Sequence, residues 1–271
     1  MKLRLGLLLL VIAASVWRMA GDFEAAASGA EPLKLRVLSY NIHHGEGEDR
    51  KLDLPRIADV IKSVEPDLVS LQEVDRNVNR SQSVDQPAEL GRLTGMHVVF
   101  GGNIKLQGGD YGNAILSRFP IKSHENRQLP NFDNGEQRGV LEAEITLPDG
   151  RPALYLMATH FDHRPKDEER LESAKRINSW VEKHPDRLYL LVGDLNARPT
   201  SRPLKELDRL WARSDARELF TIPVGKPTQQ IDFILYRRDA RWLALETRVL
   251  EEAVASDHRA IVATLELKPT P

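Results

Sequence analysis

The sequence predicts an α/β fold, a four-layer sandwich in which two packed mixed β-sheets are flanked by helices. Strand patterns outnumber helix patterns, and the strands combine a hairpin with helical crossovers, an order that suits two packed sheets. A doubly wound parallel sheet is the alternative, but the hairpin and a late run of strands argue against it. Residues 31–271 show no repeat, linker or low-complexity tract, so we predict that they form one domain.

The first predicted elements alternate between strand and helix. Residues 35–41 and 67–73 are short apolar runs that end in polar side chains, which is typical of strands. Apolar residues recur at helical spacing over residues 53–64, where Asp53 is the predicted N-cap. Two shorter predicted elements follow, a helix and then a strand: 87–93 and 113–117.

A hairpin is predicted in the middle of the chain. Residues 140–147 alternate apolar and polar side chains, Pro148-Asp149-Gly150 is a turn signal, and residues 153–160 return as a strand. The elements predicted after the hairpin are a helix, a strand, a second helix and three strands, in this order: 167–184, 188–192, 204–211, 231–236, 242–249 and 260–267.

Residues 1–30 differ in composition from the rest of the chain. Lys2 and Arg4 precede an apolar run over residues 5–16, and an Ala-rich stretch follows at residues 25–30. This order is typical of a secretory signal peptide, and the apolar run is short for a bilayer span. We therefore expect a signal peptide or an uncleaved signal anchor, with export to the periplasm or the medium, or membrane association through the N-terminus.

Charge and cysteine content exclude several functions. The chain has no cysteine, which rules out disulfides, thiolate nucleophiles and zinc fingers. A formal net charge of −2 without a Lys/Arg stripe counts against tight sequence-independent DNA binding. It does not count against catalysis on DNA, because a metal ion supplies local positive charge. We expect a monomer without an obligate protein partner.

Polar residues of metal-ligand or acid–base type gather at the ends of the predicted strands, where a scaffold presents catalytic groups. One such residue alone is commonly a turn former, but their repeated occurrence indicates a site. The residues are Asn41, Glu73, His160, Asp194, Asn196, Asp232, Asp257 and His258.

Hydrolysis of a phosphoester requires neutralised phosphate charge, an activated water and a stabilised leaving oxygen. Glu73 and Asn41 are hard oxygen ligands that suit Mg²⁺ or Mn²⁺. A histidine held by a carboxylate acts as a base or as a charged phosphate ligand. Asp232 and Asp257 are both candidates to orient His258.

Six short segments resemble the endonuclease/exonuclease/phosphatase superfamily, in the order found there. They are Ser39-Tyr40-Asn41-Ile42, Leu71-Gln72-Glu73-Val74-Asp75, Thr159-His160, Gly193-Asp194-Leu195-Asn196-Ala197-Arg198-Pro199, Ile231-Asp232-Phe233-Ile234 and Ser256-Asp257-His258. The resemblance covers essentially all of residues 34–266. It implies a divalent-metal-dependent phosphoesterase with the predicted sandwich fold.

The resemblance also implies roles for individual residues. Glu73 would be the principal metal ligand, with Asn41 and Asp257 in or near the metal's coordination shell. Asp194 would orient or deprotonate the attacking water, and Asn196 beside it would bind phosphate.

Two histidines complete the implied site. His160 would donate a hydrogen bond to a non-bridging oxygen. His258, supported by Asp232, would contact the phosphate or act as the general base, so the choice of base between Asp194 and His258 stays open.

Other residues near these segments have less specific roles. The arginine fork of Arg138 suits a phosphate clamp, although a surface role is the alternative. His43, His44 and His163 suit a second metal, the phosphate, the leaving group or an exposed loop.

The expected substrate is a phosphodiester of nucleic-acid or phospholipid type. The alternatives are a small-molecule or inositol-type phosphomonoester and, from a different class, a non-catalytic binding module on the same fold.

Overall fold

A computed structural model describes residues 31–239 and 241–269, and the elements below belong to the unit Pro32–Pro271. The described residues form twelve strands: β1 (Leu33–Asn41), β2 (Leu68–Arg76), β3 (His97–Leu106), β4 (Gly109–Ser117), β5 (Ile121–Gln128), β6 (Gly139–Ile145), β7 (Leu154–His160), β8 (Leu188–Asp194), β9 (Trp211–Arg213), β10 (Asp232–Arg237), β11 (Trp242–Val249) and β12 (Ile261–Leu267). The α-helices of the same residues are α1 (Leu54–Lys62), α2 (Gln86–Thr94), α3 (Glu168–Glu182) and α4 (Arg202–Leu207).

The strands form two six-stranded sheets. The first has the order β11-β12-β1-β2-β4-β3 and the second the order β5-β6-β7-β8-β10-β9. Each sheet contains one parallel pair, β1 with β2 and β7 with β8, among antiparallel neighbours. The sheets are therefore mixed, as predicted, and the predicted hairpin is the antiparallel pair β6 and β7.

Three apolar layers separate the sheets and helices, which confirms the predicted four-layer sandwich. Side chains of both sheets, such as Leu35 and Leu156, form the central layer. Leu38 points to the opposite face of the first sheet and packs against Ile57 of α1. Ile177 of α3 packs in the same way on the outer face of the second sheet. The alternation of side chains along each strand makes both faces apolar.

Local signals set the helix ends. The Asp53 carboxylate accepts a hydrogen bond from the backbone N–H of Arg56 at 2.9 Å, which is the predicted N-cap of α1. The predicted helix over residues 204–211 is wrong at its end, because α4 stops at Leu207 and Trp211 begins β9. Trp211 is buried, and its Nε1 donates to Asn178 Oδ1 at 3.0 Å, which holds it against α3.

The predicted signal peptide or signal anchor, residues 1–30, lies outside the described residues. Within the part of the chain that the structure describes, no helix is both long and apolar enough to cross a membrane.

Candidate active site

Three neighbouring strands of the second sheet place three predicted site residues side by side. His160 at the end of β7 pairs with Asp194 at the end of β8, and Asp194 pairs with Asp232 at the start of β10. All three side chains are buried. The strand register therefore sets their spacing.

Gly193 allows β7 and β8 to approach closely beside these residues. A Cβ atom at this position would lie 1.9 Å from the carbonyl oxygen of Thr159, and the backbone φ of Gly193 is +155°. Only glycine fits such an approach. The glycine before Asp194 therefore has a structural reason in the site.

The first sheet contributes Asn41 and Glu73. The pairing of β2 with β4 shifts between Leu71 and Val74, so Glu73 lies in a β-bulge, with a left-handed φ of 57°. A bulge re-aims a side chain and is common beside active sites. Here it brings the Glu73 carboxylate to the end of β1, where Asn41 lies.

Asn41 joins the two sheets through its amide group. Its Nδ2 donates to Glu73 Oε1 at 3.0 Å and to Asp194 Oδ2 at 3.2 Å. Its Oδ1 accepts from the backbone N–H of His43 at 3.1 Å. The side chain thus connects the predicted metal ligand Glu73 with the predicted water-orienting residue Asp194.

His258 is held by Asp232. The Nδ1 atom of His258 lies 2.9 Å from Asp232 Oδ2, and Thr221 Oγ1 donates to the same oxygen at 2.5 Å. Burial alone lowers the pKa of His258, but the carboxylates of Asp232, Asp194 and Asp257 together raise it to about 10. His258 is therefore an imidazolium at neutral pH, with its Nε2 at 3.7 Å from Asp194 Oδ2.

Asp194 is a fully buried acid of the site. Burial, followed by the nearby charge of Asp232, raises its pKa to about 7. Its Oδ1 accepts from the backbone N–H of Asn196 at 2.8 Å. Its Oδ2 faces Asn41, His160 and His258. A carboxyl group with this pKa exchanges a proton near neutral pH.

Arg138 fixes the proton position on His160. Arg138 Nη1 donates to His160 Nδ1 at 2.9 Å, and because arginine only donates, the neutral ring carries its proton on Nε2. Burial, and then the charge of Arg138, lowers the pKa of His160 well below its ordinary value. The Nε2–H faces Asp194 Oδ2 at 3.4 Å. The amide nitrogen of Asn196 lies 3.0 Å from the same Nε2 and donates a hydrogen bond to the Phe161 carbonyl at 3.1 Å.

Arg138 itself is buried and connects to the site's rim. Its Nη2 donates to Nδ1 of the exposed His163 at 3.1 Å, and its Nη1 lies 2.9 Å from Glu136 Oε1. Within the described residues, Arg138 Nε is buried and has no hydrogen-bond partner. The guanidinium group belongs to the site and is not a solvated surface group.

Asp257 lies half-buried in the loop before β12. Ser256 Oγ donates to the Asn41 carbonyl at 2.7 Å and approaches Asp257 Oδ1 at 3.3 Å. The serine thus ties this loop to the end of β1. Of the two candidates to orient His258, Asp232 makes the contact.

The predicted metal ligands are hard oxygen donors. The carboxylates of Glu73 and Asp257 and the amide of Asn41 are the predicted set for Mg²⁺ or Mn²⁺, and oxygen donors are what these cations prefer. After Ile42, His43 and His44 lie in a 3₁₀ turn (His43–Gly45), and each has a ring nitrogen close to the Glu73 carboxylate. The donor set fits a divalent cation.

Two contact residues escaped the sequence reasoning. Thr221 lies in an irregular loop before β10, and no pattern marks its contact with Asp232. Glu136 stands two positions before Arg138, a spacing that could have indicated the ion pair.

The two mixed sheets, with acid–base residues at their common end, define the α/β-sandwich class of hydrolases. A family model described as "Endonuclease/Exonuclease/phosphatase family" matches residues 38–258. The chain belongs to this family, whose members hydrolyse phosphoester bonds, and the resemblance seen in the sequence is confirmed.

Individual proteins show similarity over most of the chain. The "Uncharacterized protein YbhP" of Escherichia coli K12 is 29% identical over 88% of this chain and 98% of its own length. The "5'-tyrosyl-DNA phosphodiesterase" of Caenorhabditis elegans is 27% identical over 73% of this chain, which spans 54% of that relative. The crystal structure of an endonuclease/exonuclease/phosphatase from Beutenbergia cavernae matches with a TM-score of 0.72 and 26% identity. The match covers 88% of this chain and 72% of that chain.

Proposed function

We propose that the protein hydrolyses a phosphodiester with a divalent cation, Mg²⁺ or Mn²⁺, as cofactor. The observation that carries the proposal is the position of Asp194 Oδ2. This oxygen lies 3.7 Å from Nε2 of the imidazolium His258 and 3.2 Å from Nδ2 of Asn41. Asp194 is a buried acid whose pKa is raised to about 7, and it lies beside the positively charged ring of His258. Such a group suits the acceptance of a proton from water.

The charge balance of the site supports the need for a cation. The carboxylates are those of Glu73, Asp194, Asp232 and Asp257, and the facing cationic side chains are Arg138 and His258. An anionic phosphoester would meet excess negative charge there. Glu73 and Asp257, with Asn41 beside them, would hold a divalent cation, which would neutralise this charge and polarise the phosphoryl group.

Three side chains of the protein would then act on the water and the phosphate. Asp194 accepts the proton of the attacking water, because its pKa lies near neutrality. His258 donates a hydrogen bond from Nε2 to a phosphate oxygen, while Asp232 holds Nδ1. His160 offers its Nε2–H to a second non-bridging oxygen, because Arg138 occupies Nδ1. We therefore propose Asp194 as the general base.

Electrostatics favours a diester over a monoester substrate. A monoester carries about two negative charges at neutral pH, and a diester carries one. His160 is neutral, and Glu136 lies 2.9 Å from Arg138 and offsets its charge. Little surplus positive charge remains for a second phosphate charge. The phosphodiesterase named among the relatives is consistent with this preference, and a small-molecule or inositol-type phosphomonoester is the alternative.

A pair of matched chromogenic substrates tests the proposal. Bis-p-nitrophenyl phosphate and p-nitrophenyl phosphate differ only in the second ester, so kcat/KM for the two measures the preference directly. We expect faster hydrolysis of the diester in Mg²⁺ or Mn²⁺, and loss of it in D194N. Faster hydrolysis of the monoester would support the phosphomonoester alternative. Negligible hydrolysis of both substrates, by wild type as well as by D194N, would indicate a binding module.

A further inference from the structure

A second cluster of potential metal ligands lies beside the proposed reaction site. Within the described residues, His43, His44 and Glu73 each offer a ligand atom, and these atoms lie within 4.8 Å of one another. The two histidines follow the end of β1, and Glu73 lies in the bulge of β2. The cluster is separate from the group formed by Asp194, Asp232 and His258.

The ring of His43 is oriented as metal-binding histidines are. Its Nδ1 lies 3.1 Å from the Glu46 carbonyl oxygen, which only accepts, so Nδ1 carries the proton. Nε2 is then the basic nitrogen. A histidine that donates one ring N–H to a backbone carbonyl and presents the other nitrogen is the usual support of a metal ligand.

His44 has an unsatisfied ring nitrogen. The residue is 9% exposed, and among the described residues its buried Nδ1 has no hydrogen-bond partner. Its Nε2 lies 3.8 Å from Glu46 Oε2. Buried polar atoms without partners are uncommon and call for an explanation.

The backbone of all three residues is held in the left-handed region. The φ angles are 44° for His43, 46° for His44 and 57° for Glu73. Such strain in non-glycine residues persists where the surrounding structure fixes it, commonly at functional sites. A buried Gln86 fixes the turn here, since its Nε2 donates to the His44 carbonyl at 2.6 Å.

We infer that His43, His44 and Glu73 bind one of the first-row transition-metal dications that prefer imidazole ligands, such as Zn²⁺. Two imidazole nitrogens and one carboxylate suit these cations and do not suit Mg²⁺. Three protein ligands leave further coordination positions open. Glu73 is also the partner of Asn41, so the cation would lie next to the phosphodiester site. The inference goes beyond the proposed function, because the site would bind a cation whichever phosphoester is hydrolysed.

Cobalt substitution tests this inference independently of activity. The full chain is stripped of metal and titrated with Co²⁺, whose visible absorption reports nitrogen ligation. Wild type should show the band, and Zn²⁺ should displace it. H43N and H44N should each lose affinity by more than the ~10–100-fold typical of a residue that only supports a ligand. Asparagine tolerates the left-handed backbone, so both variants should fold.

Two controls separate the possible outcomes. H97N changes an exposed histidine outside the cluster and should bind Co²⁺ as wild type does. D194N should lose hydrolysis and keep the band, so that failure of the proposed function is recognised separately. A band that persists with unchanged affinity in H43N and H44N, or a wild type that shows none, would overturn the inference.

Discussion

The Nδ1 atom of His258 lies 2.9 Å from Oδ2 of Asp232, and both side chains are buried. Because the carboxylate accepts this proton, the opposite nitrogen of the ring points into the site, 3.7 Å from Asp194 Oδ2. The contact sets the orientation of His258 and, through its charge, keeps the ring protonated.

Replacing Asp232 should therefore change the titration of His258. In D232N the main group that raises the pKa of His258 is lost, so this pKa should fall from about 10 toward the ordinary 6.5. The basic limb of the pH–rate profile should therefore shift to lower pH. At neutral pH, kcat should be lower by on the order of 10²-fold or more. D59N, at a surface position, should match wild type. An unmoved basic limb would contradict the role of Asp232.

The wild-type pH–rate profile should be bell-shaped. Asp194, with its pKa raised to about 7, must lose its proton to act as base, so kcat/KM should rise with pH through this range. His258 must keep its proton, so the rate should fall as pH passes about 10. A bound divalent cation shifts the acidic limb to lower pH, because it favours the carboxylate. A rate that decreases steadily from pH 6 to 8 would reverse the assignment of the two groups.

Asp194 and His258 should act as one unit. D194N and H258N should each lower kcat by on the order of 10²–10⁴-fold, as general acid–base groups do. The double variant should lose much less than the product of these factors, because removing either partner already disables the transfer. The rates are measured by single-turnover hydrolysis in properly folded variants. If the loss in the double variant equals the product of the two single losses, the residues work independently.

The fold was predictable where patterns were strong. Helical spacing and the capping residue Asp53 predicted α1, and the alternation around Pro148-Asp149-Gly150 predicted the hairpin. Three strands were not predicted. β5 is mostly exposed and polar, and the three residues of β9 are too few to show a period. β3 contains Gly101 and Gly102, which disfavour a strand in a pattern analysis.

The site was predictable as a set of residue types and less so as a geometry. Strand ends identified His160, Asp194 and Asp232, because adjacent strands place their ends together. The bulge that turns Glu73 toward Asn41 depends on the pairing of β2 with β4, which no local pattern reports. Thr221 reaches Asp232 from a loop, so only the tertiary structure could identify it.

Gly193 should be intolerant of any side chain. In G193A the new Cβ would meet the Thr159 carbonyl oxygen at 1.9 Å, which forces β7 and β8 apart. Chemical denaturation should show a loss of about 3 kcal/mol or more, the combined scale of backbone strain and overpacking. A Cβ at Gly225 would meet no atom within 4 Å beyond its own chain neighbours, so G225A is the matched control. Equal stability of the two variants would show that the approach of the strands is adjustable.

Metal removal tests the central claim most directly. Hydrolysis of bis-p-nitrophenyl phosphate is measured in protein treated with EDTA, and again after Mg²⁺ or Mn²⁺ is restored, for wild type and E73Q. In the proposed function Glu73, which lies beside Asn41, binds the cation, so wild type should lose activity in EDTA and regain it with either cation, and E73Q should require a higher cation concentration. Full activity in EDTA, with E73Q indistinguishable from wild type, would contradict metal-dependent phosphodiester hydrolysis.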